Sequence, residues 1–326
     1  MTARRVPGRW VPALLVLVAL AAVPPPAAAQ TKTTLVFSSG PTGGSWIPLA
    51  ATTADIVKRK FPDLDLQVEP GAALVNMEKI RGDKADLGWS MTTVLSDARS
   101  GKGQWQGKQT DKPFYVATMY PNVWQLVVAA DSGANSIADL KGKSVTLPPR
   151  GNTSLSDGWV NLLGLYGLKL TDLSVSYGSL TENAELIKNR QAIAMGWFTT
   201  VPATYVRDLG SAVRIRMLAV PEEIIAKMRE LNPGFARHVI PAGTYKEQGI
   251  DQDVVTFQSP TILIASSKTP EETVYRITKA IVEGREQYGA VFAAMKGITP
   301  KEMGQDYGMP YHPGAAKYYK EIGLLK

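Results

Sequence analysis

From Thr33 onward, short runs of β-branched and apolar residues alternate with stretches of helical periodicity, and few folds accept that alternation. TTLVF precedes a helix to Phe61, LDLQVE precedes AALVNMEKIRG, and ADLGW precedes TTVLSDARS. Strands that alternate with helices build βαβ units, so the pattern predicts an α/β chain with largely parallel sheets. Within PFYVATMYPNVWQLVVAADS, residues 113–132, two β-rich runs meet at Tyr120-Pro121-Asn122, and a second series begins. SIADLKGKSVTL leads into a helix from Ser154 to Tyr166, LSVSY into one from about Thr181 to Asn189, and IAMGWF closes the series. A late β pattern, VVTFQSPTILIASS over 254–267, precedes the helix PEETVYRITKAIVEGREQYG. If that stretch carries the chain back, lobe I comprises residues 31–121 plus 252–326 and lobe II residues 122–251. Two strands then form a hinge, and a ligand cleft lies between the lobes. The series also echo each other, EKIRGDKADLGW from Glu78 against ELIKNRQAIAMGW from Glu185, as two related lobes would.

The first 29 residues read differently. Arg4, Arg5 and Arg9 make a positive start, Val11 to Val23 an apolar core, and Ala27-Ala28-Ala29 a small-residue cleavage pattern. This predicts a secretory signal peptide removed after Ala29 and a soluble periplasmic protein. The core falls short of the roughly 18 apolar residues of a membrane span. Arg4-Arg5 raises twin-arginine export beside the Sec route, as the weaker reading, because no apolar pair follows the arginines.

Removing a leader with three arginines and no acid lowers the formal charge from +7 to +4. Lys and Arg are interleaved with acids, as in MEKIRGDKAD, so no basic stripe points to nucleic acid. Cysteine is absent, which excludes disulfides and thiolate chemistry. Catalytic motifs are also missing. His238 and His312 lack a partner at metal spacing, no G-x-S-x-G or S-x-x-K occurs, and the GKS of residues 142–144 precedes a strand rather than a helix. No catalytic residue, metal site or cofactor is expected.

What recurs is a strand, a small polar or glycine-rich loop, and a helix. SSGPTGGSWIP, EPGAALVN, PPRGNTSLSD and YGSLTEN are the four loops. Such loops leave N–H groups free at helix starts, where they and the helix dipole hold anions, and the hydroxyls of Ser45, Thr153 and Ser154 add adjustable partners. Arg150 is the charged side chain in these loop cores that suits a carboxylate.

PTGGSW, VEPGA, ADLGW, ADSGANSIADLKGKSV, IPAGTY and YHPGAAKYY, in this order across the chain from about Thr33, resemble the TAXI family, the solute receptors of TRAP transporters. The resemblance implies a type II periplasmic binding protein fold, a ligand closed between the lobes, and delivery to the subunits of an ion-gradient-driven permease. It also maps the ligand-binding positions. They are Gly43, Gly44, Ser45 and Trp46 after the first strand, Ala72 and Ala73 after the second where Gly-Ser is usual, and Met91 and Thr92 after ADLGW where glutamine is frequent. In the second lobe they are Arg150, Asn152, Thr153 and Ser154, then Trp197, Phe198 and Thr199. Expected partners are a small carboxylate, flanked by Trp46 and Trp197, and the permease, with the receptor a monomer. The rival readings are a receptor for an ATP-driven importer and, less favoured, a periplasmic hydrolase.

Overall fold

The computed structural model describes residues 32–41, 45–150 and 153–326, together with Met1–Ala3 and Gly8; for 153–155 it describes the backbone alone. The expected leader core and cleavage point lie outside the described residues. Among the described residues, no helix is long and apolar enough to cross a membrane.

The first series is β1 (Thr33–Ser38), α1 (Trp46–Lys60), β2 (Leu64–Glu69), α2 (Ala73–Arg81), β3 (Leu87–Met91) and α3 (Thr92–Ser100). β4 (Pro113–Tyr120) then crosses into β5 (Val123–Ala129). The second series is β6 (Ser144–Leu147), α4 (Thr153–Leu165), β7 (Ser174–Tyr177), α5 (Leu180–Lys188) and β8 (Ala194–Thr199). It continues through α6 (Thr204–Ala212), β9 (Ile215–Met217), α7 (Glu222–Leu231), β10 (Ala236–Ile240) and β11 (Val254–Gln258). The chain ends with β12 (Thr261–Ser266), α8 (Glu271–Glu283), α9 (Tyr288–Val291), α10 (Pro300–Met303) and α11 (Pro313–Glu321). The long helix expected from Pro270 stops at Gly284, where a Cβ would approach Ile56 Cγ2 to 2.7 Å.

The first sheet has the order β2-β1-β3-β12-β4, and the second β10-β11-β5-β8-β6-β7 with β9 beside β5. Each sheet with its covering helices is one lobe. The orders β2-β1-β3 and β7-β6-β8 repeat one parallel motif, in line with the sequence echo. The sheets are mixed rather than largely parallel, and the crossings explain why. β5 and β12 each enter their sheet from the other lobe, at the edge where the parallel strands end, so each must run against them. β11 pairs with β10 and β5, so residues 254–258 belong to the second sheet, and the return crossing is Ser259-Pro260 rather than a point near residue 252.

Apolar side chains fill both faces of each sheet. Phe37, Leu49, Trp89 and Ile281 lie on one face of the first sheet and Met77, Leu95, Trp105 and Ile262 on the other. Trp124, Trp159, Phe198 and Phe257 form one cluster of the second sheet, and Met195, Trp197, Tyr205 and Tyr245 another. Residues Lys32–Lys326 pack as one compact unit. The two crossings are bonded together: Ser259 N donates to Asn122 O at 2.9 Å, and Asn122 Nδ2 to Thr261 Oγ1 at 2.6 Å.

Candidate functional site between the lobes

In each lobe the chain goes from a central strand to the strand on one side and then to the strand on the other. That makes the loops after β1 and β6 topological switch points, and in open α/β sheets ligands settle outside strand carboxyl ends at such points. These loops span residues 39–45 and 148–152, the heart of SSGPTGGSWIP and PPRGNTSLSD. The hinge holds both sets of strand ends toward one another.

Trp46 opens α1 and is half-buried. Its Nε1 donates to Tyr120 Oη at 2.9 Å, and its carbonyl accepts from Trp89 Nε1 at 3.0 Å. Burial raises the Tyr120 pKa, while hydrogen bonds from Thr261, Trp46 and Ser45 oppose the rise, so the phenol stays neutral and anchors the hinge end of the site. Ser39 is fully buried at the end of β1, and its Oγ has no hydrogen-bond partner.

Ala72 caps α2 in an extended conformation, and its N–H donates to Asn76 Oδ1 at 3.2 Å. Asn76 Nδ2 donates to the carbonyls of Ser39 and Trp89, each at 2.7 Å, and Ser38 Oγ to Oδ1 at 2.7 Å. This one side chain ties the ends of β1 and β3 to α2. The approach leaves no room at Gly71, where a Cβ would lie 2.0 Å from Asn76 Oδ1. Asn183 occupies the same place in α5, with Nδ2 bonded to Leu147 O at 2.8 Å and Gly178 O at 3.2 Å. Its Oδ1 is buried without a partner, because the N–H of Ser179 is taken by Glu182 in a capping box.

The other expected positions divide. Ala73 and Met91 are buried, and Met91 packs under the first sheet. Thr92 is fully buried and donates to Gly234 O at 2.6 Å, so its hydroxyl joins the lobes. Trp197 is 6% exposed within the cluster around Tyr205 and Tyr245, and Phe198 packs on Trp124 and Phe257; neither ring is free to flank a ligand. Thr199 is half-buried at the end of β8. Arg150 is exposed, with its guanidinium 4.0 Å from the ring centre of Tyr177 and no carboxylate partner among the described residues. Gly43, Gly44 and Asn152 lie outside the described residues, as do the side chains of Thr153 and Ser154.

The contact continues beside the hinge. Asn232 Nδ2 donates to Thr93 O at 3.1 Å and Asp97 Oδ1 at 2.8 Å. Gly234 presses so closely on the Thr92–Thr93 peptide that a Cβ would come within 2.5 Å of it. Asp97 on α3 acts on Asp157 on α4 across the lobes. Burial pushes Asp157 up to about 7, with Asp97 adding to the rise, and burial pushes Asp97 up to about 6 against the pull of Lys102. Among the described residues, no group of three or more His, Asp or Glu side chains is placed to hold a metal.

Residues 37–323 match the family model described as NMT1-like. The chain belongs to the NMT1-like family. Among solved structures it is similar to a TctC solute binding protein from Polaromonas, at 17% identity and a TM-score of 0.53, covering 90% of this chain and 98% of that one. It is also similar to a putative sulfonate ABC transporter periplasmic sulfonate-binding protein from Methylobacillus flagellatus, at 16% identity and a TM-score of 0.52, covering 90% and 88%. At such identities the likeness speaks for the fold, which is the expected type II periplasmic binding protein fold.

In this NMT1-like chain the residues that organise the site include several that sequence reasoning passed over, among them Tyr120, Asn76, Asn183, Asn232 and Asp157. One signal was available. Carried two residues further upstream, the echo reads NMEKIR against NAELIK and brings Asn76 onto Asn183.

Proposed function

We propose that the chain is a solute receptor that closes its lobes on a small organic anion and passes it to a membrane permease. The observation that carries this reading is the charge layout of the helix starts. α1, α2, α3, α4 and α6, which open at the strand ends facing the cleft, have no acid in the first turn, while α5, which opens there too, carries Glu182 and spends it on its own Ser179 capping box. α7, which ends at the hinge, opens with Glu222 and Glu223, and α8, at the far end of the first sheet, with Glu271 and Glu272. Helix starts attract anions, each by about 0.3–1 kcal/mol at exposed sites. Five of the six cleft-facing helix starts keep that attraction for a ligand, whereas α7 and α8 satisfy it with their own acids. Arg150, seated on Tyr177 without an acidic partner, adds a formal positive charge.

A carboxylate is the ligand we favour, because a planar guanidinium meets it through paired hydrogen bonds. Its binding surface in this reading is Ser45, Trp46, Ala72, Arg150 and Thr199 with the loops that carry Gly43, Gly44, Asn152, Thr153 and Ser154. The receptor binds without turnover, after export to the periplasm by the leader at residues 1–29. The resemblance of its segments to TAXI receptors favours a TRAP-type permease. An ATP-driven importer is the second reading, and a sulfonate, the ligand named for one structural neighbour, would meet the same donors. A thermal-shift screen of carboxylates, sulfonates and neutral amides tests the ligand class. Anions should raise the melting temperature where the matching amides do not, and stabilisation by neutral solutes alone would refute the proposal.

A further inference from the structure

A groove of about 500 Å³ lies on the side of the hinge opposite the candidate site. Strand order places it. In the first sheet β3, β1 and β2 lie on one side of the crossing strands β12 and β4, while the segment through residues 294–307 covers the other edge, where Tyr311 bridges to Tyr115 of β4. In the second sheet β8, β6 and β7 lie on one side of β11 and β5, and β10 on the other. The groove is lined by β10 and by that covering segment, with Pro121 and Pro260 of the two crossings between them. Its walls therefore belong to different lobes.

The chemistry of the lining is specific. Gln258 lines the groove, and its Oε1 is buried without a hydrogen-bond partner, so that oxygen gains a donor from the groove only when the side chain turns into it. Lys296, from the first lobe, pairs with no carboxylate among the described residues, and Arg237, from the second, is held in place by Glu222, with Nε to Oε1 at 2.8 Å. Burial, with Arg237 beside it, lowers the His238 pKa, so that imidazole stays neutral near pH 7 and contributes hydrogen bonds rather than charge. Glu302, the acid in the lining, is occupied by the Thr299 cap, accepting from its N–H at 2.8 Å and its hydroxyl at 2.7 Å. The volume falls within the range of small-molecule sites, roughly 300–1,000 Å³.

We propose that this groove is a second binding site, distinct from the cleft, for a small hydroxy- or amino-carboxylate. The carboxylate meets Lys296 and Arg237, one from each lobe, and the ligand's O–H or N–H donates to Gln258 Oε1 as that side chain turns into the groove. A molecule held this way links the lobes behind the hinge, so its occupancy follows the lobe angle that the cleft also sets.

Calorimetry of the purified protein with L-lactate, L-malate and L-serine, against propionate and succinate as acids without the extra donor, tests the proposal. At least one donor-bearing acid should bind with a Kd that rises roughly tenfold in Lys296→Ala and in Gln258→Leu. That Kd should stay unchanged in Arg150→Ala, which reports on the cleft. Lys296 is exposed, so its replacement keeps the fold. Binding that is indifferent to both groove variants, or no binding of any donor-bearing acid that responds to Lys296→Ala, would overturn the second site and leave the reading of the cleft untouched.

Discussion

The indole Nε1 of Trp46 donates to the hydroxyl of Tyr120 at 2.9 Å, joining the first residue of α1 to the last residue of β4. The bond sets the start of α1, a candidate ligand-facing helix end, against the crossing on which the lobes turn. Tyr120→Phe removes the acceptor and leaves the indole N–H unpaired in a half-buried position. The expected loss of stability is about 1–2 kcal/mol, read from urea unfolding. A larger fall in ligand affinity than in stability is expected as well, because the helix start loses its alignment.

Asn76 and Asn183 hold equivalent places in the two lobes but are unequally satisfied. Asn76→Ala removes two carbonyl clamps and orphans Ser38 Oγ, so it should cost about 2–4 kcal/mol. Asn183→Ala removes fewer bonds and also relieves the unpartnered Oδ1, so its cost should be smaller by about 1 kcal/mol or more. Equal losses in chemical denaturation would contradict this ranking.

Gly234 meets the Thr92–Thr93 peptide where no side chain fits. Gly234→Ala must therefore part the lobes beside the hinge and strain the bond from Thr92 Oγ1. A loss of about 2–4 kcal/mol is expected, together with a larger radius of gyration in small-angle scattering. A wild-type profile and stability would show that the contact yields easily.

The echo between the lobes shows how far the sequence could be read. Strand and helix runs in both series, and the crossing at Tyr120-Pro121-Asn122, are local patterns of apolar periodicity and turn chemistry, and they survive folding nearly unchanged. The segment 200–253 carried no comparable signal. Its strands β9 and β10 are short and half-exposed, and they are defined by their pairing with β5 and β11 rather than by their own composition. For the site, the loops were legible because glycine and hydroxyl clusters between strand and helix have few uses. The direction of each side chain was not. Trp197 stands in a Gly-Trp pair at a strand end, a context that fits a ligand wall or a core equally well, and Leu209, Ile240 and Tyr245 beneath it belong to distant segments. Asp97 and Asp157 escaped notice because each sits on an ordinary polar helix position, and only folding brings α3 beside the end of α7 and Asp97 within electrostatic reach of Asp157.

Asp157 and Asp97 make stability depend on pH. Both carboxyls have native pKa values raised above the ordinary carboxylate range, to about 7 and about 6, so the native state holds more protons than the unfolded chain between roughly pH 4 and 7. Their contribution is greatest below that window and is lost as pH rises through it. Asp157→Asn should flatten this slope and raise stability at pH 8 by about 1–2 kcal/mol, as followed by thermal melts from pH 4 to 8. A variant with the wild-type slope would remove Asp157 from the account.

The central claim is that the cleft captures an anion, and calorimetry of the best carboxylate against its own amide tests it most directly. The account predicts saturable binding of the carboxylate in the cleft and an affinity there at least roughly tenfold lower for the amide. Most of that difference should disappear in Arg150→Ala. An amide that binds the wild-type protein as tightly as the acid, by a site indifferent to Arg150, would contradict it.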